Sequence, residues 1–153
     1  MKKINDWFSS GLIAGTLGGI THLLYNSLLL MLGLQHKTFW HAMAGLFYNQ
    51  QLLMTVGAQI HGMVDAIGVS AANGILLSLI LMLTGKDYLY AKSITMSAAG
   101  GYFLFIVVFP QTGLGKDSPF VPWIAIIGFI VFNGLLVGYV LNQISTYKVP
   151  NKR

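Results

Sequence analysis

Four polar residues stand inside otherwise apolar runs: His22 and Asn26 in GITHLLYNSLL, His61 and Asp65 in QIHGMVDAIG. Each pair is four residues apart, and in a helix that spacing stacks both side chains on one face. Imidazole titrates near neutrality, and a neighbouring carboxylate favours its charged form, so the set suits a proton relay or a solute site. Two imidazoles and a carboxylate are also donor types for Zn²⁺ or non-haem iron(II), and two histidines on facing helices match axial haem ligation. The plainer role is structural, because buried polar groups in a helical bundle satisfy one another and fix helix register. We place the structural role first, permeation second and a metal or haem site third, and assign neither a metal nor a cofactor. His36 and His41 read as loop residues in contact with water, and Asn73 and Asn133 as hydrogen bonders between helices.

The elements that must hold these residues follow from composition. The chain has 153 residues, of which 55% are hydrophobic and only 8% charged, with a mean hydropathy of +0.68. Soluble domains carry about 25% charged residues, so the solvent implied here is a lipid bilayer. No cysteine is present, which excludes thiol chemistry, disulfides and Cys-ligated metals. The net charge of +5 comes from sparse cations at the ends of apolar runs, a pattern of membrane topology and not of nucleic-acid binding.

Four spans are expected, at 11–34, 56–84, 92–109 and 122–144. The first contains no Lys, Arg, Asp or Glu, and it is too long, without an A-x-A-like site, for a cleaved signal peptide. Pro110 closes the third span, and Pro122 opens the fourth at a helix-compatible position. The alternating segments of an outer-membrane barrel are absent. The fold class expected is therefore an all-α membrane protein, one domain over residues 1–153, forming an antiparallel up-down bundle of four transmembrane helices.

Four spans put both termini on one side. Lys2, Lys3, Lys86, Lys92, Lys148, Lys152 and Arg153 then share that side, with Lys37 and Lys116 opposite. Cytoplasmic loops carry the excess of Lys and Arg, so the expected topology is N-in and C-in, in a bacterial cytoplasmic membrane. Trp7, Tyr88, Tyr90, Tyr139 and Tyr147 suit an inner aromatic belt, and Phe39, Trp40, Phe47, Tyr48, Phe120 and Trp123 an outer one. In the connection 35–55, apolar residues at helical spacing predict a short helix lying in the outer interface, capping the bundle.

Lipid tails are as apolar as Leu, so the helices must meet through small or polar residues. The first span offers Gly11, Gly15, Gly18 or Gly19, His22 and Asn26 on one stripe, leaving Leu12, Ile13, Leu17, Ile20, Leu24 and Leu28 for lipid. The second offers Ala58, His61, Gly62, Asp65, Gly68 and Ala72. The third offers Ser93, Ser97, Gly100 and Gly101, and the fourth Gly134 and Gly138. Packing within the monomer is the expected use of Gly11, Gly15, Gly19, Gly62, Gly134 and Gly138, with dimerisation the alternative. Depth counting puts His22 about 22 Å and Asp65 about 30 Å from the inner face, so the four polar side chains are expected to converge in the outer half.

The segments GLIAGTLGGI, GGYFLFIVVFP and NGLLVGYVL resemble those of small four-span proteins of Gram-positive-type bacteria, the YqhR-like membrane proteins. The resemblance implies an integral membrane protein without an established activity, and it carries over no functional residue. Other motifs fail on inspection. GLGKDS at 113–118 lacks the earlier glycine of a phosphate loop and has Asp117 where Ser or Thr is needed. No serine stands in a nucleophile-elbow context. The tail KVPNKR reads as a topology anchor. The expectation is thus a protein that is not an enzyme, whose partners are the bilayer and a second copy or another membrane protein.

Overall fold

The computed structural model describes residues 4–112 and 121–146. Lys2, Lys3, the GLGKDS segment with Lys116, Phe120, Tyr147 and the KVPNKR tail lie outside the described residues, as does the side chain of Trp123.

Helix α1 runs Trp7–Met31, displaced towards the N-terminus from the expected 11–34. Its caps explain the shift. The Asp6 carboxylate accepts the Ser9 N–H at 2.7 Å, an N-cap that also holds this acid below its usual range. At the other end Gly33 takes φ 68, with Leu34 N–H bonded to Leu29 O and Gly33 N–H to Leu30 O. That is a Schellman stop, which glycine adopts without a Cβ penalty.

A short helix, α2, covers Phe39–Ala44, and α3 covers Val56–Thr84, capped by Thr55, as the apolar run predicts. Helix α4, Leu89–Phe103, continues as a π-helical stretch Leu104–Val108 and a 3₁₀ turn Phe109–Thr112. The expected stop at Pro110 is therefore passed. Proline has no N–H to give and crowds the carbonyl four residues back, and the winding changes around it instead of ending. The last span is built from α5, Val121–Ile130, a π-helical segment Val131–Leu136 and α6, Val137–Ile144. Four helices are long and apolar enough to cross a membrane, at Trp7–Met31, Val56–Thr84, Leu89–Thr112 and Ile126–Ile144.

Contacts fix the register. On α1, Gly11 faces Gly74 and Ile75, Gly15 faces Ala71, and Gly19 faces Ser70 and Ile67 of α3. Rising numbers on one helix against falling numbers on the other make the pair antiparallel. A Cβ on Gly11 would lie 2.7 Å from the Gly74 carbonyl oxygen, so the backbones touch as small-residue seams permit. The last span lies antiparallel on α4 through Gly134 and Gly138, which meet Ser93, and on α1 through Gly18, which meets Phe132 and Val137. Leu12, Ile13, Leu17, Ile20, Leu24 and Leu28 are all exposed, outside these seams.

The two ends of the described chain meet at one end of the bundle. Ile4 N–H donates to Ile144 O at 2.7 Å, and Thr146 N–H donates to Ile4 O at 3.2 Å. Lys86 Nζ reaches the Ser145 carbonyl at 2.7 Å, and Lys92 Nζ the Gly85 carbonyl at 2.9 Å. These cations satisfy carbonyls at the C-terminal ends of α6 and α3, where the helix dipole favours positive charge.

The opposite end is closed by α2, whose six residues are all buried. The short helix expected as a cap on the bundle is present, packed against the span ends. Phe39 and Trp40 belong to a core cluster with Met43, Ala66, Leu104 and Phe129, not to an aromatic belt. Gly62 makes room, because a Cβ there would collide with the Trp40 carbonyl. Trp40 Nε1 donates to Gln59 Oε1 at 2.6 Å, tying α2 to α3.

Candidate functional site

The four sequence-derived polar residues form two separate pairs. His22 is 2% exposed, enclosed by the rings of Tyr25, Phe39, Phe129 and Phe132. Asn26, one turn on, donates Nδ2 to the His22 carbonyl at 2.8 Å and is fully buried. Its third neighbour is Gln35, whose Nε2 donates to both Asn26 O and Asn26 Oδ1 at 3.1 Å. Gln35 was not distinguishable in sequence from any polar residue in a connecting loop. The Gly33 stop turns the chain back and carries it to Asn26.

His61 and Asp65 lie on a flank of α3. Their side chains are 39% and 29% exposed, and His61 Nε2 stands 3.4 Å from Asp65 Oδ2. That is ion-pair range without hydrogen-bond geometry, and Asp65 Oδ2 is buried with no hydrogen-bond partner among the described residues. His61 Nδ1 meets the Tyr48 hydroxyl at 3.1 Å, and its ring packs against Phe47 and Tyr48. Among the described residues no hydrogen bond, ion pair or ring contact joins His22 or Asn26 to His61 or Asp65.

The reason lies in which face of α3 is buried. Its interior stripe is Ala58, Gly62, Ala66, Ser70, Gly74 and Leu77. Of the expected stripe, Ala58 and Gly62 are on it, whereas His61, Asp65, Gly68 and Ala72 are rotated off it: Gly68 and Ala72 are exposed, and a Cβ on Gly68 would meet nothing within 4 Å. Both stripes contain small residues, so composition could not rank them. Seating the uncharged stripe brings the backbones together and keeps the carboxylate off the seam.

Deeper in the bundle, Asn73 donates Nδ2 to Ser97 Oγ and to Asn133 O, each at 3.1 Å, and Ser97 Oγ donates to the same carbonyl at 2.5 Å. Asn73 thus joins α3, α4 and the last span. Asn133 takes part through its backbone, exposed by the π-helical winding around it, and not through its side chain. Asn133 Nδ2 and Oδ1, Ser70 Oγ and His22 Nε2 are buried without hydrogen-bond partners among the described residues.

His41, expected to be wet, is buried. The Thr38 N–H donates to His41 Nδ1 at 3.0 Å, so this nitrogen is an acceptor and the histidine caps α2. Burial, with the Lys37 charge adding to it, pushes its pKa below the ordinary 6.5. His36 is exposed, as expected. Among the described residues, no group of three or more His, Cys, Asp or Glu is placed to hold a metal ion.

What the fold and these polar groups define is a class: a small helical bundle with four helices able to span a membrane. Comparison with protein-family models, with curated proteins and with solved structures gives no match to this chain.

Proposed function

We propose that this is a multi-pass protein of a bacterial cytoplasmic membrane, with both termini inside, that acts as a structural or partner subunit and not as an enzyme. The observation carrying this reading is that the polar side chains between the spans bond one element to another. Ionisable residues on a transport route normally face the bundle interior or a water-filled cavity. Here the span carboxylate lies beside His61, off the seam with α1, while Asn73, Ser97, Asn26 and Gln35 bind helices and loop to one another. The cations Lys86 and Lys92 share one end with Ile4 and Ser145, in keeping with a cytoplasmic assignment of that end. The resemblance to YqhR-like proteins accords with the same reading.

Permeation is the second reading, favoured by the unpartnered interior atoms of His22, Ser70 and Asn133. Purified protein in liposomes separates the two. A subunit gives no pH-dependent proton or ion flux above protein-free vesicles, for wild type and Asp65→Asn alike. Flux in wild type that Asn133→Leu or Asp65→Asn abolishes would overturn the subunit reading.

A further inference from the structure

Three polar side chains in the middle of the bundle take no part in the bonds that hold the spans together. His22 is 2% exposed, and Ser70 and Asn133 are fully buried. His22 Nε2, Ser70 Oγ and both polar atoms of the Asn133 amide have no hydrogen-bond partner among the described residues. Such groups are costly, and native interiors satisfy nearly all of them. The three come from different elements and meet around one turn of α1. A Cβ on Gly18 would stand 3.5 Å from Asn133 Oδ1, and a Cβ on Gly19 would stand 3.2 Å from Ser70 Oγ. His22 lies one turn on from both glycines, and helical side chains lean back over the preceding turn, which brings the imidazole over them. Phe129 and Phe132, in ring contact with His22, precede Asn133 on the last span. Asn133 itself sits in the π-helical segment, a winding that recurs at functional sites.

We propose that His22, Ser70 and Asn133 form a closed internal site that holds water, bridging α1, α3 and the last span. The chemistry of the walls selects that ligand. Asn133 Nδ2 only donates and Oδ1 only accepts, while a hydroxyl and an imidazole nitrogen serve either way, so the occupant must do both. The described acids stand elsewhere: Asp6 caps α1, Asp65 lies beside His61, and Asp87 is in the turn before α4. A cation would therefore be buried without a counter-charge. An apolar occupant would leave all these atoms unpaired. Size excludes larger polar molecules, because even a Cβ on Gly18 would stand 2.6 Å from Val137 Cγ2, and one on Gly19 2.9 Å from Ser70 Cβ. Towards one end of the bundle the core cluster of Ala14, Leu77, Val137 and Leu141 closes the interior. Towards the other, Phe39 lies against His22. The site is thus enclosed and not a stretch of a passage, and it stands independently of the subunit reading.

Proton-detected magic-angle-spinning NMR of the full chain in phosphatidylethanolamine–phosphatidylglycerol vesicles reads both occupancy and closure, with water itself as the probe. The Asn133 amide, assigned by its loss in Asn133→Leu, and the His22 ring should both show cross-peaks at the water frequency. After transfer into deuterium oxide, the Asn133 amide protons should persist at least about ten-fold longer than those of Asn49, which is exposed. Ser70→Ala combined with Asn133→Leu makes two of the three walls apolar. It should remove the water cross-peak from the His22 ring, with helical content by circular dichroism unchanged. In wild type, where folding is not at issue, a missing water cross-peak at either residue would mean a dry interior and overturn the proposal. Cross-peaks with Asn133 exchanging as fast as Asn49 would overturn the closed site and favour permeation. A His22 cross-peak that survives the double substitution would place the water elsewhere and overturn the assigned walls.

Discussion

Gly15 of α1 and Ala71 of α3 pass so closely that a Cβ on the glycine would stand 2.7 Å from the Ala71 Cα. The two longest spans therefore meet backbone to backbone along a seam that admits no side chain on the α1 side. Gly15→Val should force the helices apart and lower the thermal midpoint in detergent, at a cost of about 1–3 kcal/mol or more. Gly68→Val, facing open space, should leave the monomer's midpoint close to that of wild type. Thermal unfolding followed by circular dichroism checks both, and equal losses would contradict the assigned faces.

Asn73 donates to Ser97 and to the Asn133 carbonyl, joining three spans through one side chain. Asn73→Ala should destabilise by about 1 kcal/mol, in line with interhelical hydrogen bonds in membranes. A double-mutant cycle with Ser97→Ala should show positive coupling, since the residues share an acceptor. Strict additivity would mean the bond contributes nothing.

The seams of α1 were legible in its sequence because small residues and His22 fall on one stripe, with large aliphatics filling the rest. On α3 the same reasoning found Ala58 and Gly62 but not the rest of the buried stripe. There two stripes contain small residues and share Ala58 and Gly62; periodicity does not reveal that the seam with α1 continues through Ser70 and Gly74. Gln35 and His41 were hidden for a related reason. Each lies in a connection, and their burial follows from the turn at Gly33 and the packing of α2 against the span ends.

His41 caps α2 only while its Nδ1 is unprotonated. Its folded pKa is lowered from 6.5, so the unfolded state binds the proton more readily. The stability this histidine contributes is present above pH 6.5 and is lost as pH falls towards the depressed folded value. Amide exchange in Phe39–Ala44, corrected for intrinsic rate, should accelerate as pH drops below that range. In His41→Ala, exchange should be fast at every pH, with no such step.

Gln35 holds the turn after α1 against Asn26. Gln35→Ala removes two donations and should cost about 1 kcal/mol, read as faster exchange in residues 32–38 with α1 itself unchanged. Uniform loss of protection along α1 would show that the turn supports the whole helix.

The topology is testable without purification. A reporter fused after Arg153 should be active only in its cytoplasmic form, and one inserted at Asn49, in the connection before α3, only in its external form. The reverse pattern would invert the assignment.

The backbone bridge between Ile4 and Ser145 has a consequence for biogenesis. Ile4 is synthesised some 140 residues before its main-chain partners, Ile144 and Thr146. Until those residues are made, the backbone of Ile4 lacks these two partners. Closure of the bridge records that the last span has arrived.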